Sequence, residues 1–236
     1  MKTILKITTV LLLILSTSCM INGIRGNGNV ITQNRIISPD FTAIEVSQGI
    51  VVSLTMSKET TMSLEADENL HDLIITEVED GILHIYSEDN IWRSTALKIY
   101  LTTAIVDRIK TSSGAEVISE NTITADDFEV KSSSGSGVKL MLNVSELSCD
   151  TSSGSHAKLK GSANHFIANS SSGSSINAKE LSSKTCNADA SSGSNISVNV
   201  SDNLEANASS GASIKYTGSP KNVNKDSSSG GSVKER

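Results

Sequence analysis

"VKSSSGSGVKL", residues 130–140, sets a serine run closed by glycine between apolar residues. In isolation such a run is a flexible linker. It recurs, however. Ser-Ser-Gly occurs seven times, with glycines at Gly114, Gly135, Gly154, Gly173, Gly193, Gly211 and Gly230, at intervals of 21, 19, 19, 20, 18 and 19 residues. A linker has no reason to keep a period, whereas a repeat architecture must.

Alignment on the glycines exposes the pattern around them. Seven residues before the glycine stand Phe128, Leu147, Phe166, Cys186, Leu204 and Val223. Five before it stand Ile109, Val130, Cys149, Ala168, Ala188 and Ala206, and three after it Val117, Val138, Ala157, Ile176, Ile196, Ile214 and Val233. Polar residues fill most places between. Apolar residues on alternate positions mean strands with one buried face. Each copy is therefore a strand, a corner and a strand, too short to bury its apolar face alone. Stacking the copies gives an all-β fold, a parallel β-solenoid of about seven coils, about 30 Å long at 4.8 Å per coil. The glycines would supply the positive φ of each corner. The serines before them would cap the turn or bond the equivalent serine one coil above, forming a serine column.

The two cysteines inside the repeat fall in the third coil (Cys149) and the fifth (Cys186), both pointing inward. Two coils are about 9.6 Å apart, beyond disulfide reach. Free, buried thiols are expected.

The N-terminal half lacks the triplet. "FTAIEVSQGIVVSL", residues 41–54, alternates like a strand pair with a turn at Gly49. "LIITEVEDGILHIYSE", residues 73–88, is a hairpin through Asp80-Gly81. These strands carry bulkier side chains, among them Tyr86, Trp92 and Tyr100. Residues 28–110 are accordingly expected to form an N-terminal β-rich cap, and residues 111–236 the solenoid. The terminal "VKER" places charge on the last edge and discourages end-to-end growth.

The first residues are a targeting segment. Lys2 and Lys6 precede the apolar run "VLLLILS", residues 10–16, and small residues lead to Cys19. The segment resembles the lipobox of bacterial lipoproteins, with leucine at Leu15, one place earlier than usual. Residues 1–18 are expected to be a signal peptide, Cys19 the lipid attachment site, and residues 19–27 a tether. "GIRGNGNV", residues 23–30, belongs to that tether, because no helix or lysine follows to cradle phosphate.

Setting aside Lys2 and Lys6 leaves 18 basic residues against 26 acidic. Without a basic cluster or an aromatic ladder, nucleic acid is not an expected partner. Aromatics are 3% of the chain, so the core must be built thinly from Val, Ile, Leu and Ala.

Catalytic chemistry is not indicated. S-x-x-K occurs at Ser136–Lys139 and Ser155–Lys158 at one repeat phase, without its companion motifs. The histidines, His71, His84, His156 and His165, have no paired ligand spacing. Glu65, Asp67, Glu68 and Asp72 read as a solvated face. No catalytic residue, metal site or cofactor is expected.

Phe41 with Ile44, Val46 and Gly49, then "SLEADENLHDLIITEVEDGILHI", then the run of SSG corners, resemble the head GIN domain family. The resemblance covers residues 28–232. It implies a β-helix, an envelope location and an adhesin-like role, and it brings no catalytic residues. The sequence lacks the translocator barrel of a true autotransporter. The reading that follows is a non-catalytic, lipid-anchored binding protein, exported to the outer membrane or periplasm. It would present repetitive polar faces to envelope polysaccharide or protein. The alternative is a polysaccharide-acting β-helix enzyme, a lyase or hydrolase, which would need converging carboxylates and aromatic platforms.

Overall fold

The computed structural model describes residues 23–236. Residues 1–18, where a signal peptide is expected, lie outside the described residues, as do Cys19 and residues 20–22. The chain is a β-solenoid of about seven turns. Between corners it runs as single long strands that bend around the core: Glu116–Ser132, Gly137–Thr151, His156–Ser170, Ser175–Ala190 and Asn195–Ala208. Alternating burial along each is the sequence alternation made physical. All pair in parallel, and on both sides of each corner they keep the repeat register, so Val138 lies between Val117 and Ala157, and Cys149 between Val130 and Ala168. The core is a column of Val, Ile, Leu and Ala, widened by Phe128 and Phe166 and closed toward the last coil by Tyr216.

The triplets are the corners, one coil apart in a line. Each combines a left-handed serine with a left-handed glycine, for example Ser134 (φ 54°) and Gly135 (φ 72°). The next amide closes the turn, Ser136 N–H donating to the Ser133 carbonyl at 3.2 Å. Positive φ at both central residues is the type I′ pattern. A non-glycine residue there costs about 1–2 kcal/mol. A ladder across coils offsets it. The Gly135 amide donates to the Ser153 carbonyl at 3.0 Å, Gly154 to Ser172 at 3.1 Å, and Gly173 to Ser192 at 3.0 Å.

The serine column exists, but different residues build it. Within the triplets, Ser133 is half-buried and Ser134 exposed. The stacked hydroxyls belong to the residues flanking the triplet: Thr111, Ser132, Ser136, Thr151, Ser155, Ser170, Ser174 and Ser194, all buried. Thr111 Oγ1 donates to Ser132 Oγ at 2.9 Å, and Thr151 Oγ1 to Ser170 Oγ at 3.0 Å. The expectation failed because triplet serines point sideways at a type I′ corner, while positions before and after it point inward. Ala190, Ala208 and Ala212 end the column with methyl groups.

The N-terminal half is interleaved with the solenoid. Ala43–Val46 and Val51–Met56 do not pair with each other as a strand pair would. Ala43–Val46 pairs in parallel with Arg108–Thr111, and Val51–Met56 with Glu116–Ser132. Gln48 and Gly49 adopt the corner conformation, φ 59° and 74°, and Gly49 N–H donates to the Ser113 carbonyl. Residues 43–56 are thus a first coil, and the cap strands between Thr61 and Thr103 are inserted before the chain returns at Arg108. The missing SSG hid this, since glutamine takes the place of the second serine. In the cap, Thr61–Asp67 lies antiparallel between Val30–Arg35 and Leu97–Thr103. The hairpin through Asp80-Gly81 forms as read.

The tether reading is corrected from residue 23 onward. Ile24–Arg25 pairs with Ile91–Arg93. A Cβ on Gly26 would lie 2.4 Å from Asp67 Cγ, so this stretch is packed against the body. At the other end, Ser232–Glu235 pairs with Ser213–Thr217 and leaves Lys234 and Glu235 exposed.

Candidate binding groove

The inward residues define the stack; the outward ones define what it offers. Four residues before each corner glycine, parallel pairing aligns Glu45, Lys110, Lys131, Asp150, Asn169, Asp189, Asn207 and Asp226 in one column. The first part is self-neutralised: Lys110 Nζ meets Glu45 at 3.2 Å, and Lys131 pairs with Glu129. From Asp150 onward, carboxylate and amide alternate. Asn169 Nδ2 donates to Asp150 Oδ1 at 2.8 Å, and Asn207 Nδ2 to Asp189 Oδ1 at 2.9 Å. Successive groups are about 4.8 Å apart and successive carboxylates about 9.6 Å.

Asp150, Asn169, Asp189, Asn207 and Asp226 line a groove of about 510 Å³. The first serine of each corner lines it as well: Ser152, Ser171, Ser191, Ser209 and Ser228. Each coil repeats one carboxylate or amide with one hydroxyl. Each bridging amide spends one N–H on its carboxylate, leaving its carbonyl and second N–H for a ligand. The signal was present in the sequence as the letters D, N, D, N, D at that phase. Attention to apolar positions passed over it.

The other residues singled out from sequence are dispersed. The corner glycines line up but have no side chain to bring. Ser136 and Ser155 turn their hydroxyls inward, Ser155 donating to the Ser132 carbonyl at 2.7 Å. Lys139 points outward to Glu116 at 2.8 Å, so S-x-x-K is repeat phase and no serine meets its lysine. The acidic cluster separates: Glu65 accepts from the Tyr100 hydroxyl, Glu68 from the Asn29 amide, and Asp67 is buried beneath backbone amides. His71 is buried against Gln33, while His84, His156 and His165 each stand near a separate glutamate. Among the described residues, no three His, Cys, Asp or Glu gather in a metal-binding arrangement.

Cys149 and Cys186, the two cysteines of the repeat, are free and buried. Burial, then the charge of Asp150, pushes the Cys149 thiol well above its ordinary value. Burial and then Asp189 push Cys186 up to about 12.

The sequence matches the family described as "Putative auto-transporter adhesin, head GIN domain" over residues 40–220. A crystal structure of a putative adhesin from Bacteroides fragilis superposes with a TM-score of 0.84 at 22% identity, covering 91% of this chain and 100% of that one. A putative lipid binding protein from Parabacteroides distasonis gives 0.72 at 23% identity, covering 90% and 99%. A putative adhesin from Parabacteroides merdae gives 0.71 at 18% identity, covering 90% and 98%. At these identities the likeness is one of fold. No curated protein matches the chain.

Proposed function

The chain belongs to the head GIN domain family, and from that premise we propose that it is a non-catalytic, exported binding protein, lipid-anchored through Cys19. Its groove between Asp150 and Asp226 would hold a hydroxyl-rich envelope polymer, a neutral or cationic polysaccharide. The observation that carries this reading is the Asp–Asn alternation along a groove that the corner serines also line. Carboxylates and amide carbonyls accept from sugar hydroxyls, and amide N–H groups and serines donate to them. A hydroxyl on every coil and a carboxylate on every second one suit a ligand that itself repeats. Without aromatic platforms in the groove each contact is weak, and affinity accumulates by engaging several coils at once. The carboxylates disfavour polyanions. The groove repeats the same side chains along its length; it does not converge unlike ones on a single bond, as hydrolysis requires.

The test is retention of purified envelope polysaccharides on immobilised, demonstrably folded protein. Wild type is expected to retain a neutral or cationic polymer. The Asp150→Asn/Asp189→Asn/Asp226→Asn variant is expected to lose at least about tenfold in affinity, since each charge-assisted hydrogen bond contributes about 1.5–3 kcal/mol before solvent competition. Absence of retention by wild type, or equal retention by the variant, overturns the proposal.

A further inference from the structure

The cap carries a surface that the groove does not explain. Trp92, the chain's only tryptophan, is 54% exposed. It occupies a bulge: Ile24 pairs with Ile91 and Arg25 with Arg93, leaving Trp92 as the extra residue between two ladder positions. A bulge re-aims the residue it carries. The same pairing sets Arg25 and Arg93 side by side, both exposed. Like charges at opposed ladder positions are unfavourable without an anion to share. Among the described residues neither guanidinium is held in an ion pair. Glu88 and Asp89 precede this strand in sequence.

The chain also enters the body here. A Cβ on Gly23 would lie 2.9 Å from the Trp92 nitrogen and 2.8 Å from the Asn90 carbonyl oxygen, so the first described residue sits against the same strand. Gly23 follows Cys19 by four positions, a span of at most about 14 Å. An anchor at Cys19 therefore holds this corner of the cap at the bilayer surface.

We propose that Trp92, Arg25 and Arg93 form a membrane-docking face that seats the cap on lipid headgroups. The indole lies at the interface and the guanidiniums meet headgroup phosphates. An amphipathic ring and snorkelling arginines are the side chains that partition to this layer. The acyl chains hold the protein to the membrane; the patch fixes its orientation, with the solenoid leading away. The groove then begins at Asp150, three coils and about 14 Å along the stack from Glu45. This inference rests on the anchor reading of Cys19, and its test separates the two.

The full chain is expressed with its export signal and recovered with membranes, beside a Cys19→Ala variant. Trp92 fluorescence is then read in vesicles of phosphatidylethanolamine and phosphatidylglycerol, ordinary or brominated near the headgroup. Attachment that depends on Cys19, with Trp92 quenched at least twofold by the brominated lipids, is the expected result. Arg25→Glu/Arg93→Glu should stay attached and lose most of that quenching, with its thermal midpoint unchanged. An attached wild-type chain with no quenching overturns the docking face and leaves the anchor intact. A wild-type chain found soluble overturns the anchor alone. The docking face is then judged on vesicles added to the soluble chain, where absent quenching overturns it.

Discussion

The Ser155 hydroxyl is joined to the Ser132 carbonyl one coil away, donating across 2.7 Å. The same hydroxyl accepts from the Ser152 amide at 3.0 Å, tying the start of its own corner to the coil before it. Ser174 and Ser194 repeat the arrangement on Thr151 and Ser170.

Ser155→Ala is therefore expected to lower stability by about 1 kcal/mol, the net worth of a buried neutral hydrogen bond. The Ser152 amide keeps its bond to the Ser132 carbonyl, which limits the loss. Thr151→Val and Ser174→Ala, whose hydroxyls lie 3.1 Å apart, are expected to be non-additive by at least about 0.5 kcal/mol. Urea midpoints of the single and double variants measure both effects.

Two glycines that look alike in sequence differ in what holds them. Gly154 has φ 73° and open space where a Cβ would go, so alanine meets backbone strain alone, about 1–2 kcal/mol. Gly161, at the opposite bend with φ 109°, would put a Cβ 2.0 Å from the Leu142 carbonyl oxygen. That neighbour is backbone and cannot swing aside. Gly161→Ala is expected to cost more than about 3 kcal/mol and to lower soluble yield, while Gly154→Ala folds. Parallel thermal melts decide between them.

Gly161 also shows where the sequence stopped being legible. The SSG corners were readable because one backbone requirement recurs at one interval and admits few residues. The inward columns were readable because burial imposes period two. The opposite bend was not, because its register shifts between coils, as between Lys158 and Lys160 or Ala178 and Ser182. Its residues therefore fall out of phase. The first coil escaped notice because Gln48 replaces serine and about fifty residues of cap separate it from the next. The groove needed only the outward position before each corner, where Asp150 and Asn169 differ in charge yet share shape and reach.

The thiols give a check on the core that needs no ligand. Burial raises both Cys149 and Cys186, the latter to about 12. The reactive thiolate is scarce at neutral pH and the sulfurs are out of reach of reagent. In a chain carrying Cys19→Ser, Ellman's reagent should find no thiol in the native state and two in denaturant. A thiol reacting rapidly under native conditions would place that column at the surface and refute the register.

Asp67 should give the cap a distinct acid sensitivity. Burial by itself raises its pKa. The amides of Thr95, Gly28 and Ala96, with the Thr95 hydroxyl, outweigh that and hold the carboxyl below its usual value. Gly28 and Thr95 donate at 2.6 Å each, so the carboxylate fastens the entering strand to the start of the strand that contains Tyr100. A depressed folded pKa means that the stabilisation is present above the unfolded value of about 3.9 and lost as pH falls through the folded one. Asp67→Asn turns one acceptor into a donor facing donors, and should cost about 1–3 kcal/mol at pH 7. As pH falls through the lowered folded value the wild-type carboxyl takes up a proton and itself becomes a poorer acceptor. The gap between the two proteins should therefore narrow in acid. Urea midpoints at pH 7, 5 and 3 follow it. A gap that stays constant over that range would mean that the Asp67 charge contributes nothing and that the amide hydrogen bonds are equally well made to asparagine.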